Sequence, residues 1–289
     1  MNRNTGILAR RLHLGNREKP TAMKFKISVF THNPTRETVI SPTSPSEKNL
    51  FLLCHGLRSV VAADTVCRTM EEKIDDMSDG SCATLTDLRL DEALIDAYDA
   101  LDRLPRLPHQ RAGTTLTLCK LHARGCTLAN IGTSRGLHIR PATATAESRI
   151  LYETRNHCYL NDPIDPHGDH PYAGMLAGSH LRYDPDVYHS EDLRAGDCIV
   201  LMTANLRQRL SLAKIRQLFS CEGGSIPSKV SWLKHLSNQV RGRATFILIH
   251  IERVEENQME QQRHRHPIPR AWVWAIGITL LLILGLFLI

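Results

Sequence analysis

Apolar and polar residues alternate along the chain in short runs that predict a domain of mixed strands and helices. Residues 24–31 alternate with a period of two, and the apolar run at 49–54 is typical of a second, buried strand. Apolar side chains then recur at intervals of about four in two segments, which predicts amphipathic helices over 61–74 and 88–101. The loop between the first two strands is rich in Pro, Ser and Thr.

The apolar period returns to two after residue 113. Residues 114–122, 126–131 and 136–140 predict three consecutive strands joined by short turns, a pattern that favours an antiparallel meander. Residues 141–190 have weak periodicity and many His, Asp, Pro and Tyr residues, so we expect an irregular insertion there.

Regular structure is predicted again in the last third of the chain. A Gly-Asp turn at Gly196 and Asp197 enters a buried strand, and Ser211 is suited to cap a helix that runs to residue 219. A further helix is expected over 229–240, and ATFILIHI at 244–251 predicts a final strand.

The segment 271–289 contains no charged residue and is long enough, as a helix of about 29 Å, to cross a bilayer. Trp272 and Trp274 suit an interfacial aromatic belt, and arginines at 263, 265 and 270 precede the segment, so the rest of the chain is predicted to face the cytoplasm. The alternative is a buried core helix, but core helices are usually shorter and amphipathic. We therefore expect a single-pass membrane protein, with the membrane as its first partner.

These patterns divide the chain into a basic leader at 1–22, one domain at 23–254, a polar and basic linker at 255–270 and the anchor at 271–289. The leader fits a disordered extension, a transit-like peptide or an upstream start codon before Met23. The net charge of +6 is concentrated near the two termini, which is typical of proteins at a membrane surface rather than of nucleic-acid binding. The 8 cysteines include no CxxC pair, which indicates reduced thiols.

Four motifs resemble, in order and spacing, those of the PPM-type metal-dependent Ser/Thr protein phosphatases. They are AGTTLTLCKL at 112–121, ANIGTSRGLHIRP at 129–141, RAGDCIVLMTANLRQRLS at 194–211 and GRATFILI at 242–249. The resemblance covers about residues 24–252. It implies an α+β fold in which two antiparallel β-sheets form a sandwich flanked by helices.

The resemblance also implies a centre of two divalent cations, which aspartates hold and which activate a water. Magnesium and manganese prefer hard oxygen ligands such as carboxylates. In this chain other residues occupy the matched acidic positions, and a cation, Arg243, stands beside the last of them. The positions are Ile40, Ser41, His55, Gly56, Thr133, Ala204 and Gly242.

We therefore expect no catalytic residues and no bound metal, and the sequence indicates a pseudophosphatase that acts as a scaffold, sensor or regulator by binding a protein or phosphoprotein. Arg36 matches a phosphate-contacting position of the family, and with Arg243 it could hold a phosphate in bidentate contacts, unless both arginines pair with surface acids. The alternative is a divergent phosphatase that binds Mg or Mn through other residues. A third hypothesis is that the chain is a purely structural tether in a multi-protein membrane assembly.

Two further constellations leave alternatives open. The histidine-rich segment 157–189 suits either a soft-metal site or a solvated loop, and it has no recognised zinc spacing. His55 suits either a lone ligand or acid-base group, or a hydrogen-bonded histidine at the end of a strand.

Overall fold

A computed structural model describes most of the predicted domain. The described residues are 23–42, 49–57, 60–76, 84–105, 113–123, 125–157, 176–177, 183–220, 224–240 and 243–256. The leader, Gly242, most of the histidine-rich segment and the predicted anchor lie outside them.

The described residues form eleven strands and five helices. The strands are β1 (Met23–His32), β2 (Thr38–Ser41), β3 (Leu50–Leu57), β4 (Gly113–His122), β5 (Gly125–Ile131), β6 (Arg135–Arg140), β7 (Arg149–Glu153), β8 (Leu176–Ala177), β9 (Asp186–Ser190), β10 (Cys198–Met202) and β11 (Phe246–Glu256). The helices are α1 (Val60–Asp76), α2 (Asp87–Asp102), α3 (Ala204–Arg209), α4 (Leu212–Leu218) and α5 (Ile226–Gln239).

The strands make two antiparallel sheets. The first sheet has the order β1-β11-β10-β6-β7, and the second has the order β2-β3-β4-β5-β9, with the short β8 paired to β4. Residues such as Phe51, Ile199 and Ile247 fill the space between the sheets. The predicted sandwich of two antiparallel sheets with helices is confirmed.

Each sheet carries helices on its outer face because each helix has one apolar side to bury. Buried residues of α1 and α2, including Val66 and Leu94, pack on the second sheet. Buried residues of α3, α4 and α5, including Leu206, Ile215 and Leu233, pack on the first sheet. The molecule therefore has four layers, with one helical layer on each side of the sandwich.

Local sequence signals explain several of these elements. The two helices expected from apolar spacing correspond to α1 and α2, and the Ser211 side chain caps α4 by accepting a hydrogen bond from the backbone N–H of Lys214. The Gly-Asp turn before β10 is also present, with Gly196 at a φ of 91°. These predictions are confirmed.

The predicted meander is wrong. β4 and β5 are paired in the second sheet, but β6 lies in the first sheet between β10 and β7. The turn after β5 carries the chain across the sandwich, and Gly132 makes this change of direction at a φ of 112°, a conformation that glycine adopts without steric cost.

The interval 141–190 is also more regular than the sequence pattern indicates. It contains β7 and β9, which are the outer strands at one edge of each sheet. β2 and α3 were likewise not expected, and the last strand runs on to Glu256. Edge strands are half solvated and short, so their apolar alternation is weak.

Within the described ranges, no helix is long and apolar enough to cross a membrane.

Candidate functional site

One end of the sandwich gathers the residues of the motifs. His32, the last residue of β1, pairs with Phe246 at the start of β11, and Met202 at the end of β10 pairs with the same phenylalanine. In the other sheet, Thr38 at the start of β2 pairs with His55 near the end of β3. The segments that resemble the phosphatase motifs therefore converge here: β1, β3 and β10 end at this edge of the sandwich, and β2, β6 and β11 begin there.

A hydrogen-bonded set of neutral side chains lies at this end, and we call it the polar cluster. It consists of Asn33, Thr35, Thr38, His55, Thr203 and Thr245. In the second sheet, Thr38 Oγ1 and His55 Nδ1 are 2.8 Å apart, and Thr35 donates to Thr38 Oγ1 over 2.8 Å. The Asn33 amide donates to the Thr38 carbonyl over 2.8 Å.

The polar cluster joins the two sheets. Thr245 donates its hydroxyl to Asn33 Oδ1 over 2.8 Å, and its hydroxyl lies 3.4 Å from that of Thr35. On the other side, the Thr245 backbone N–H donates to Thr203 Oγ1 over 3.1 Å. Because these hydroxyl and amide groups satisfy one another, their hydrogen bonds hold the strand ends of the two sheets together.

His55 is the titratable member of the polar cluster. Burial lowers its pKa from the ordinary value, and the negative charge of Glu37 offsets this lowering only in part. The imidazole is therefore neutral at pH 7 and is a hydrogen-bonded histidine at a strand end. Glu37 itself is exposed, and its backbone carbonyl accepts from Gly56 N over 2.8 Å.

The predicted acidic-pair positions do not reach His55. Ile40 and Ser41 pair with Leu53 and Leu52 of β3, so Ser41 lies three residues along the strand from the position opposite His55, about 10 Å away. The residue that the structure brings to His55 is Thr38.

Thr133 lies in the turn between β5 and β6, and arginines organise this turn. Arg207 donates to the carbonyls of Thr133 and Ser134 over 3.4 and 3.3 Å, and it approaches Glu153 at 3.8 Å. Arg135 pairs with the same Glu153 carboxylate at 3.0 Å, and burial lowers the pKa of Arg135 to about 10, which leaves it charged. The turn is consequently fixed by protein groups.

Ala204 is the first residue of α3, directly after Thr203 of the polar cluster. Its neighbour Asn205 donates its side-chain amide to the Arg243 carbonyl over 3.1 Å. This contact ties α3 to the segment before β11. Gly242 lies outside the described residues.

Arg36 and Arg243 border the polar cluster. Arg36 follows Thr35, Arg243 precedes Thr245 by two residues, and the contact between the two threonines brings the segments together. Both arginines are exposed, and neither forms an ion pair with another described residue. Arg243 has a φ of 55°, an uncommon conformation for a residue with a side chain. The two guanidinium groups are therefore available to an anion from solution.

The polar cluster does not fit a pair of Mg or Mn ions. It offers hydroxyl, amide and imidazole groups, whereas these cations need several carboxylates. Glu153 is already paired with arginines, and Asp186, the acid opposite Asn130 across β5 and β9, accepts from Tyr152 and Arg155. Across the described ranges, no group of three or more His, Cys, Asp or Glu side chains is placed to hold a metal.

The described members of the histidine-rich segment have other contacts. His157 Nδ1 accepts from Gly132 N over 3.3 Å, and His189 lies 2.8 Å from Asp87 and 3.0 Å from Thr127. The remaining histidines of that segment lie outside the described residues, so the soft-metal prediction stays a prediction.

Similar solved structures are PPM-type phosphatases. The Ser/Thr phosphatase MsPP of Mycobacterium smegmatis, in complex with cacodylate, is 19% identical and covers 78% of this chain and 97% of its own, with a TM-score of 0.57. The catalytic domain of PstP, in complex with two manganese ions, is 19% identical and covers 79% and 98%, with a TM-score of 0.56. PppA, a regulatory component of the type VI secretion system in Pseudomonas aeruginosa, is 15% identical and covers 82% and 99%, with a TM-score of 0.57.

At these identities the similarity defines the fold: the described domain has the fold of the PPM Ser/Thr phosphatases. No protein-family model matches the chain. No curated protein matches it in sequence.

Proposed function

We propose that this chain is a pseudophosphatase, tethered to a membrane by residues 271–289, which binds a phosphorylated protein and regulates signalling at the cytoplasmic face. The observation that carries this proposal is the polar cluster. It occupies the strand ends where a PPM-type fold would hold its metals, and its members satisfy one another. Fold alone does not imply activity, so the residues of this site decide what the chain can do.

The loss of carboxylates removes the chemistry of the reaction. A two-metal hydrolase needs negative ligands to offset four positive charges in a confined space. Here Thr38 and His55 are uncharged at neutral pH, and Arg243 adds a positive charge nearby. A metal pair in this environment would be repelled rather than held.

The same charge balance favours an anionic ligand. Arg36 and Arg243 stand at the border of the polar cluster with no carboxylate partner among the described residues. A guanidinium group binds phosphate through two parallel hydrogen bonds, and two such groups stand close enough in sequence to the Thr35–Thr245 contact to act on one anion. Phosphoserine and phosphothreonine peptides therefore suit the site, which would bind them without hydrolysing them.

A titration of the full chain in detergent micelles with a phosphoserine peptide tests this proposal. We expect saturable binding of the phosphopeptide, no binding of its unphosphorylated form, and a loss of about tenfold or more in affinity for Arg36→Ala and for Arg243→Ala. Arg149→Ala is the matched control, because Arg149 is exposed on β7 and should leave binding unchanged. Equal affinity of all three variants would refute the assignment of the two arginines.

A further inference from the structure

The two helical layers have opposite charge. The Asp, Glu, Lys and Arg residues of α3, α4 and α5 are all Lys or Arg, so these helices contain no acidic residue. In α2, by contrast, all charged side chains except Arg89 are acidic. Because these layers lie on opposite outer faces of the sandwich, one face of the domain is basic and the other is acidic.

The basic layer presents its charges to solvent. Four of its cations are exposed and form no ion pair with another described residue: Arg209, Lys214, Arg216 and Lys234. Two other cations of this layer are used inside the fold, since Arg207 holds the turn after β5 and Lys229 donates to the Gly224 carbonyl over 2.6 Å. We call the four exposed cations, together with Trp232, the basic face.

Trp232 gives the basic face an apolar element. It lies on α5 between the buried Val230 and Leu233 in sequence, yet 40% of its surface is exposed. An indole with one apolar side and one polar tip is suited to the boundary between lipid headgroups and hydrocarbon. Glu147 and Arg149, from the adjacent hairpin, are also exposed at this side, and their charges offset each other.

We propose that the basic face lies against the anionic lipid headgroups of the membrane that holds the anchor. The charge of the face complements a leaflet rich in acidic lipids, which attracts clustered lysines and arginines. The chain length also permits the contact. β11 ends at Glu256, and residues 257–270 span at most about 50 Å before the predicted anchor begins.

Docking in this orientation has a functional consequence. The acidic layer of α1 and α2 faces away from the bilayer, and the polar cluster lies at the end of the sandwich, where α3 begins after Thr203. A phosphoprotein could then reach Arg36 and Arg243 from the cytoplasm while the domain is held at the membrane surface. The docking proposal rests on the proposed tether, but it does not depend on the site being inactive.

The full chain, reconstituted in vesicles with brominated lipids, provides the test. Bromine quenches tryptophans at the bilayer, and the difference between the wild-type chain and Trp232→Phe isolates Trp232 from Trp272 and Trp274. We expect Trp232 to be quenched in vesicles that contain phosphatidylserine, and not in vesicles of phosphatidylcholine alone. High salt should abolish the difference, because it screens surface charge.

Charge variants make the test specific. The double variant Lys214→Gln, Lys234→Gln should lower the ratio of docked to undocked domain by about fivefold for each cation removed. The matched control, Asp91→Asn with Glu92→Gln on α2, changes as many exposed charges on the opposite face and should leave quenching unaltered. Equal quenching in both lipid compositions, or equal effects of the two double variants, would overturn the docking proposal.

Failure of the tether gives a different result. If the anchor does not insert, an alkaline carbonate wash releases the chain from vesicles of either composition. If the chain resists the wash but Trp232 is not quenched, the tether stands and docking is refuted. A Trp232 emission shift with soluble polyglutamate, without quenching by anionic vesicles, would show instead that the basic face binds acidic proteins.

Discussion

Thr38 Oγ1 lies 2.8 Å from His55 Nδ1, across the pairing of β2 with β3. His55 is one of the positions that the motif resemblance matches to an acidic residue of the PPM family. Thr35 and Asn33 extend the bond towards Thr245 in the other sheet. Neutral, hydrogen-bonded side chains therefore link the two sheets at this end of the sandwich. The stability of the fold and its response to metal should depend on them.

Removal of the Thr38 hydroxyl should destabilise the fold. Thr38→Val removes the hydrogen-bond partner of the half-buried His55 nitrogen and one acceptor of the Thr35 hydroxyl, so we expect the free energy of unfolding to fall by about 1–3 kcal/mol. Thr38→Ser keeps the hydroxyl and should cost about 0.8 kcal/mol at most, for the lost methyl group. Urea unfolding of the full chain in micelles measures both, and equal losses would show that the hydroxyl contributes nothing.

The stability of the fold should fall in acid because of Asp197, which lies at the end of the first sheet opposite the polar cluster. Burial raises the pKa of this carboxyl, but hydrogen bonds from Arg140, His138 and the Arg194 backbone outweigh burial and hold the pKa below the ordinary value of 3.8. Because the pKa of Asp197 is lower in the folded protein than in the unfolded chain, the ionised carboxylate stabilises the fold above pH 4. That stabilisation is lost as the pH falls through the folded pKa.

Replacement of Asp197 tests this account. Asp197→Asn should cost about 3 kcal/mol at pH 7, since Arg140 keeps its charge and loses the carboxylate 2.8 Å away. It should also flatten the fall in stability between pH 4 and the folded pKa. Asp192→Asn changes an exposed carboxylate that pairs with the same arginine and should cost less than about 1 kcal/mol. A variant curve with the same slope as the wild type in acid would contradict the role of Asp197.

Gly125 should not tolerate a side chain. A Cβ added there would lie 1.9 Å from the carbonyl oxygen of Ser190 on the neighbouring strand β9. Backbone atoms cannot move aside as a flexible side chain can, so Gly125→Ala should lower stability by about 1–3 kcal/mol through separation of β5 from β9. Hydrogen exchange should show the loss first at the amides of β9. Unchanged protection of β9 would be inconsistent with the close approach.

Restoring carboxylates should make stability depend on metal. In Thr38→Asp, His55→Asp the two acids face each other across the strand pair, and without a bound cation between them they repel. We expect the double variant to have a lower Tm than the wild type in a chelator. Manganese at one hundred times its Kd should raise the free energy of unfolding of the variant by about 2.7 kcal/mol and its Tm accordingly. The wild-type Tm should be the same in both buffers. If manganese does not raise the Tm of the double variant, the geometry around Thr38 and His55 does not match a metal site.

Sequence patterns predicted the parts of the fold whose periodicity is strong. The half-buried β1, the helices α1 and α2 and the Ser211 cap follow from local spacing and capping chemistry, and the motif resemblance supplied the arrangement of the sheets. The crossing at Gly132 was missed, because a short turn looks alike whether the next strand joins the same sheet or the other one.

The candidate site was only partly visible in the sequence. His55, Thr203 and Thr245 fall in or beside the matched motifs, but Asn33 and Thr35 lie outside them, and their hydrogen bonds are revealed only by the folded chain. Thr38 was missed because the loop before β2 has no periodic signal, so the register of β2 against β3 could not be inferred. The charge difference between α2 and α3–α5 was readable from the sequence once the helical layers were known.

Manganese binding by the full chain in micelles, measured by calorimetry with phosphopeptide hydrolysis in the same buffer, tests the central claim most directly. The account predicts no heat of manganese binding and no phosphate release, while the PstP catalytic domain, whose structure holds two manganese ions, serves as the positive control. Binding of manganese with turnover that a chelator abolishes would contradict the pseudophosphatase account, and would establish the chain as a divergent metal-dependent phosphatase.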